Sequence, residues 1–232
     1  MNAKVIAIYS FVVVASVAMI VFFINVGNQV PESPVASNVG REVPETLFPI
    51  KTDLEMTRQD GEQVRLSELE GKVTVLAQFF AVCPKCAIRN GGDLLEIYKT
   101  FGDHPDFRML CISVDPETDG VEELEDYAET LGADVSNWWF TRTQDQAEIH
   151  RFLEEELKFF RIRERTDPVD IASNGRYAHD LDLLLVDRDL NVVGKYPLAQ
   201  ADSEEGRKLD PTRYDREKHE LFERIRKELG DE

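Results

Sequence analysis

Two cysteines separated by two residues, Cys83-Pro84-Lys85-Cys86, are the side chains in this sequence best suited to chemistry. Thiols at that spacing can exchange electrons as a dithiol–disulfide couple, or hold a soft metal ion between them. They follow an apolar run at 73–80 and precede a helical stretch, so they belong at a strand-to-helix junction. A helix N-terminus favours thiolate over thiol, and Lys85 adds positive charge beside it. Pro84 suits the first helical turn, where a missing amide proton costs little. A static structural disulfide is the plain alternative for the pair.

A soft ion such as Cu(I) favours thiolate, and imidazole can supply a third ligand. Of the four histidines, His104 reads as an exposed loop residue, His150 lies in a charged helix and His219 lies on the acidic C-terminal helix. His179 differs, because it stands directly before an apolar strand at 181–186. A loop entering a central strand can return it to the thiol edge. The alternative is an ordinary strand-entry histidine bonded to Asp180 or Asp182. Asp115 ends another apolar strand near the same edge, where it caps the strand or tunes the local charge. Cys111, inside an apolar run, reads as a buried small hydrophobe. Trp138, Trp139 and Phe140 read as a core strand, with a partner-facing patch as the alternative.

The elements that must position these residues follow from the pattern. Residues 54–56 and 63–66 flank an Asp60-Gly61 turn and form a hairpin. A short helical turn at 67–70 follows. The run at 73–80 is too apolar for a half-exposed strand and belongs in mid-sheet. A helix after Cys86 runs to about Thr100, with Gly91-Gly92 weakening its first half. A second central strand spans 107–114, helices are expected at 122–131 and 144–157, and a hairpin at 181–186 and 192–196. A closing helix at 215–229 carries Leu221, Phe222, Ile225 and Leu229 along one face. This order predicts an α/β thioredoxin-like fold, a central mixed sheet flanked by helices in three layers. The thiols then sit at the carboxyl end of a middle strand, where open α/β sheets place their chemistry.

Residues 5–24 are uncharged and mostly apolar. Twenty helical residues rise about 30 Å, roughly a bilayer core. Lys4 precedes the run and the first acid after it is Glu32, which places the N-terminus in the cytoplasm and the rest outside. The run ends without a small-x-small cleavage site, so residues 1–26 are expected to be a retained membrane anchor, with a cleaved leader as the alternative. Residues 27–46, with Pro31, Pro34 and Pro44, read as a flexible linker. Residues 47–232 then form one extracytoplasmic (periplasmic) domain. The chain carries a net charge of −18, which argues against nucleic acid and anionic lipid as partners and favours cationic ones, with a plain acidic surface as the alternative. Three cysteines in 232 residues do not make a disulfide scaffold.

Together these residues resemble the Sco/SenC family of copper-delivery and thiol-redox proteins. Residues 75–84 are similar to the family's strand and first-cysteine segment. Ser113-Val114-Asp115-Pro116-Glu117-Thr118-Asp119 is close to its S-V-D-P-x-x-D segment. Ala178-His179-Asp180 resembles the segment that supplies its histidine ligand, and 187–194 the following hairpin. The resemblance covers about 48–229 and implies a membrane-tethered thioredoxin-like domain that assists the copper centre of cytochrome c oxidase. One departure stands out. The family usually spaces its cysteines C-x-x-x-C-P, whereas Cys83 and Cys86 have the C-x-x-C spacing of thiol oxidoreductases. Those reductases usually place a cis-proline where this chain has His179, and no proline occurs between Pro168 and Pro197. The T-x-x-C context of peroxiredoxins is missing.

The resulting expectation is a Cu(I) metallochaperone with Cys83, Cys86 and His179 as ligands and with Lys85, Asp115 and Asp180 around them. Its partner would be the copper-bearing subunit of cytochrome c oxidase or another copper or thiol protein. The competing reading is a thiol–disulfide oxidoreductase working through Cys83 and Cys86 without a stable metal. A metal-free interaction module with a static bridge is the third.

Overall fold

A computed structural model describes residues 46–81 and 90–231. Its centre is an eight-stranded mixed sheet in the order β1-β10-β9-β4-β5-β6-β2-β3. The strands are β1 Phe48–Pro49, β2 Glu55–Arg58, β3 Gln63–Arg65, β4 Val73–Phe79, β5 Phe107–Ser113, β6 Trp138–Arg142, β9 Leu183–Val186 and β10 Asn191–Tyr196. β7 Arg163–Glu164 and β8 Tyr177–Ala178 form a separate two-stranded ribbon. β4 and β5 run parallel, as do β5 and β6, while β9 pairs antiparallel with β4.

All seven residues of β4 are buried, Thr74 and Gln78 included, as expected of a mostly apolar strand covered on both faces. Alternate residues feed two cores. Val73, Val75, Ala77 and Phe79 meet α1 (Gly91–Phe101), α2 (Val121–Leu131) and α7 (Arg213–Leu229). Leu76 and Phe80 meet the opposite layer, with Met56 and Val64 of the β2–β3 hairpin and Phe152 and Leu153 of a π-helical turn. Each such apolar side chain contributes roughly 1.5–3 kcal/mol on burial.

Most expected elements stand within two residues of their predicted bounds, and Trp138, Trp139 and Phe140 lie in core strand β6, all buried. The helix expected at 144–157 differs. α3 spans only Gln146–Arg151, and Phe152–Glu156 continues it as a π-helical turn. The Gly91-Gly92 pair opens α1 instead of interrupting it, so its cost falls at an end where helical bonds are few. Three short helices escaped the pattern reading: α4 Pro168–Asn174, α5 Leu198–Ala201 and α6 Glu204–Leu209. The expected anchor, nearly all of the linker, and Cys83, Lys85 and Cys86 lie outside the described residues. Among the described residues, no helix is long and apolar enough to cross a membrane.

Candidate metal and thiol site

The carboxyl ends of β4 and β5 lie side by side, Phe79 opposite Ser113. The chain leaves β4 through Phe80 and Ala81, and the Ala81 amide donates to Asp119 Oδ2 at 3.1 Å. Ser113 Oγ donates to the same oxygen at 2.5 Å. Asp119 is fully buried, and these bonds tie the entrance of the cysteine segment to the turn after β5. Asp115 is also fully buried. Its amide donates to Ser113 Oγ and its Oδ2 accepts from Thr118 Oγ1, both at 3.0 Å, so it organises this turn. Asp115 Oδ1 has no hydrogen-bond partner among the described residues, nor does the amide of buried Gln78 at the end of β4.

The far end of the cysteine segment is fixed as well. Asn90 is buried, and its Nδ2 donates to the Leu181 carbonyl at 2.9 Å. Leu181 lies two residues beyond His179. A second contact brackets the same region: Gly175 packs on Phe80 so closely that an added Cβ would stand 2.5 Å from the ring. Its φ of +78° is also the left-handed conformation that favours glycine. Residues 80–81 and 90 thus flank the cysteines, and their neighbours at 175 and 181 flank His179.

His179 occupies the turn between β8 and β9 and is half-buried. Its Nδ1 lies 2.7 Å from the Asp180 carbonyl. A carbonyl only accepts, so Nδ1 donates, and in the neutral ring the lone pair is then on Nε2. Metal-binding imidazoles commonly have this arrangement, with the second nitrogen oriented by a backbone carbonyl. The Asp180 side chain has partners of its own. Its Oδ1 accepts from the Asp182 amide at 3.0 Å, and its Oδ2 from the Phe160 amide at 3.3 Å and Lys195 Nζ at 3.2 Å. Lys195 also pairs with Asp182 at 3.3 Å. Burial, together with the adjacent Asp180 carboxylate, pushes the Asp182 carboxyl up to about 6. Burial acts upward on Asp180 too, but its hydrogen bonds from Asp182 and the attraction of Lys195 outweigh it and hold Asp180 below the usual range. A groove of about 1000 Å³ opens beside His179, walled by Phe160, Asp180, Asp182, Glu204 and Glu205.

The other histidines are placed elsewhere. His150 lies 2.7 Å from the Val114 carbonyl and packs edge-on against Tyr177. His104 is half-buried, where an exposed loop was expected; its Nδ1 accepts from the Asp106 amide. His219 is exposed on α7. Cys111 is buried, its thiol accepts from Trp138 Nε1, and burial pushes it up to about 12. Among the described residues, no cluster of three His, Cys, Asp or Glu side chains could hold a metal by itself. A soft ion would need the two sulfurs in addition to His179, and the imidazole tautomer and its bracketed position fit that donor set.

Asp119, Asn90 and Gly175 were not identified as site residues from the sequence. Asp119 closes the S-V-D-P-x-x-D segment, which was a usable signal. Asn90 and Gly175 gave none beyond turn and cap propensity.

A family model described as SCO1/SenC matches residues 44–210. A curated relative, the SCO1 protein homolog of Bacillus subtilis, is 29% identical over 101 residues, which are 43% of this chain and 52% of that protein. The chain therefore spans about half the length of the curated relative it matches. A SCO1/SenC family lipoprotein from Bacillus anthracis has the same fold, with TM-score 0.64, 19% identity, and coverage of 80% of this chain and 98% of that one. The structure of BsSco, described as a member of the Sco family of cytochrome c oxidase assembly proteins with a disulfide switch, superposes with TM-score 0.51 at 26% identity over 65% and 84% of the two chains. Arabidopsis thaliana ScoI, solved with copper bound, gives TM-score 0.55 at 19% identity over 75% and 99%.

Proposed function

Because the chain belongs to the SCO1/SenC family, we propose that it is a Cu(I) metallochaperone that carries its ion between Cys83, Cys86 and His179. The observation that carries this reading is the bracketing of the two halves of the site. Asn90, just past the cysteines, bonds Leu181, just past His179, and Phe80, just before them, packs on Gly175. Segments pinned at both ends in this way support a site shared by the imidazole and the cysteine segment. Two thiolates and one imidazole suit Cu(I). The ion is cargo in this scheme, passed by ligand exchange to the copper-bearing subunit of cytochrome c oxidase. That setting is consistent with the description of BsSco, and the copper seen in Arabidopsis ScoI matches the cargo. The acidic surface concentrates cations near the site. Residues 1–26 would anchor the chain in the membrane and 27–46 would tether the domain on the extracytoplasmic side.

Anaerobic Cu(I) titration of the reduced chain against a competing chelator tests the proposal. One tightly held equivalent, lost in Cys83→Ser, Cys86→Ser and His179→Ala, is expected.

The C-x-x-C spacing specifically favours a second reading. As a thiol–disulfide oxidoreductase, the Cys83 thiolate would attack a partner disulfide and release one partner thiolate. Cys86 would then displace the second, leaving a reduced partner and a Cys83–Cys86 disulfide, which an extracytoplasmic dithiol would reduce again. Weak copper binding indifferent to His179→Ala, with rapid turnover of a disulfide substrate, would favour this reading over the first.

A further inference from the structure

We propose that the groove beside His179 seats an extended segment of a partner protein, one that sets a basic side chain against Asp202, Glu204 and Glu205 and an apolar one against Phe160. The inference supplies a docking face for the copper reading and rests on that reading for its purpose.

Phe159 and Phe160 follow one another shortly after the π-helical turn, and their surroundings are opposite. Phe159 is buried, whereas Phe160 is 75% exposed. A single exposed phenylalanine is ordinary on a protein surface. Phe160 differs because it is held on the wall of a groove of about 1000 Å³. Its amide donates to Asp180 Oδ2 at 3.3 Å. Lys195 Nζ donates to the Lys158 carbonyl at 3.2 Å and lies 5.3 Å from the centre of the Phe160 ring. Lys158 itself has a φ of +57°, a conformation rarely taken by a residue with a side chain. An apolar side chain entering the groove meets a ring whose backbone is already fixed, so little ordering is required on binding.

Five carboxylates line the groove against two arginines, Arg161 and Arg163. Lys195 offsets Asp180 and Asp182. The other three, Asp202, Glu204 and Glu205, stand exposed at the start of α6. Asp202 pairs with Arg207 and Glu204 with Lys208. These are exposed pairs that water screens, and a cation of the partner can replace either at little cost. Other occupants fit less well. Among the described residues, no three acidic or histidine side chains converge closely enough to hold a metal ion. A second copy would press together two molecules of net charge −18. His179 lines the same groove, so a segment seated there lies beside the imidazole proposed to hold the cargo.

Reduced, metal-free full-length chain in a neutral detergent is titrated with a dye-labelled peptide repeating lysine, serine and tryptophan, and binding is read by fluorescence anisotropy. Phe160→Ala weakens binding about threefold or more, as the loss of an aromatic contact does. Glu204→Gln combined with Glu205→Gln weakens it by about threefold as well. The same loss of charge on α2, Glu122→Gln with Glu125→Gln, leaves the affinity within about 1.5-fold of wild type. The replaced side chains are all exposed, so these variants keep the fold. A peptide with glutamate in place of lysine binds at least ~tenfold more weakly. No binding of the lysine peptide, or indifference to Phe160→Ala, would overturn the inference. An equal loss from the α2 pair would also overturn it, by showing a diffuse acidic surface. So would self-association of the chain that Phe160→Ala abolishes, which would assign the groove to a second copy. Copper takes no part in these measurements. If wild type binds no copper yet shows this peptide pattern, the metallochaperone reading fails and the groove is still a docking face. If copper is held and the pattern is absent, the reading stands and the inference falls.

Discussion

The two ends of the parallel strands β4 and β5 differ in how they treat polar groups. At the amino end, Lys72 and Arg188 pair with Asp106 at 3.0 and 2.8 Å on an open surface. Hydrogen bonds from Arg188 and Lys72 hold the Asp106 carboxyl down at about 2. Water screens such pairs, and they contribute little. At the carboxyl end, Gln78, Asn90, Ser113, Asp115, Asp119, Asp180 and Asp182 are all buried. Burying polar groups costs stability unless each is paired, and some of these atoms lack partners among the described residues. A chain that folded only for stability would have the first kind of end twice. The second kind marks where stability has been set against positioning.

Thiol reactivity shows the contrast at its largest. Cys111, in mid-strand with its thiol pushed up to about 12, should react with a maleimide at least ~10³-fold more slowly than Cys83 and Cys86, because it is reached only by unfolding. Stopped-flow labelling with mass analysis should find two fast thiols and one slow; three fast thiols would mean the core is not closed. Next in size, His179→Ala should weaken copper binding about 100-fold or more while disulfide exchange persists. Equal loss of both activities would show that His179 supports the fold and not the ion.

Asp119→Ala should lower unfolding free energy by about 2–3 kcal/mol, since it removes a buried acceptor from Ser113 and Ala81. Urea unfolding measures this, and a change near zero would place Asp119 outside the packed turn. Asp182→Asn tests the acid pair. The raised carboxyl of Asp182 means the native state holds that proton more tightly than the unfolded chain does. Wild type therefore loses stability as pH rises from about 4 to about 6. The asparagine variant lacks this titration, so relative to wild type it should gain about 1–2 kcal/mol between pH 4 and pH 7. A difference independent of pH would show that Asp182 is not strained by burial. At the amino end, Lys72→Met should leave the urea midpoint essentially unchanged; a large shift there would erase the contrast between the two ends.

Much of this was legible in the residues. The apolar run of β4 and a second apolar strand identify the sheet and its carboxyl edge, and the thiol pair and histidine there suggest the proposed ligand set, because burial patterns and residue chemistry are local properties. The partnerships were not legible. Asp119 acts on Ala81 across 38 residues and Asn90 on Leu181 across 91, and neither contact leaves a trace in spacing. Asn90 falls inside the helix expected after Cys86, whereas in the fold it stands at the start of α1 and bonds Leu181. Gly175 reads as a turn, and only the approach of Phe80 shows why no side chain fits there. α4 was missed although its signal was present: Asp167 accepts from the Val169 and Asp170 amides and Pro168 follows it, an N-terminus obscured by the polar residues around it.

The central claim is that two sulfurs and one imidazole meet at a common ion. X-ray absorption at the copper edge of the Cu(I)-loaded full-length chain tests it most directly. Two sulfur scatterers and one imidazole are predicted, with the imidazole pattern absent from His179→Ala and the sulfurs retained. A spectrum of sulfur ligands alone in wild type, or an imidazole pattern that survives His179→Ala, would contradict the account.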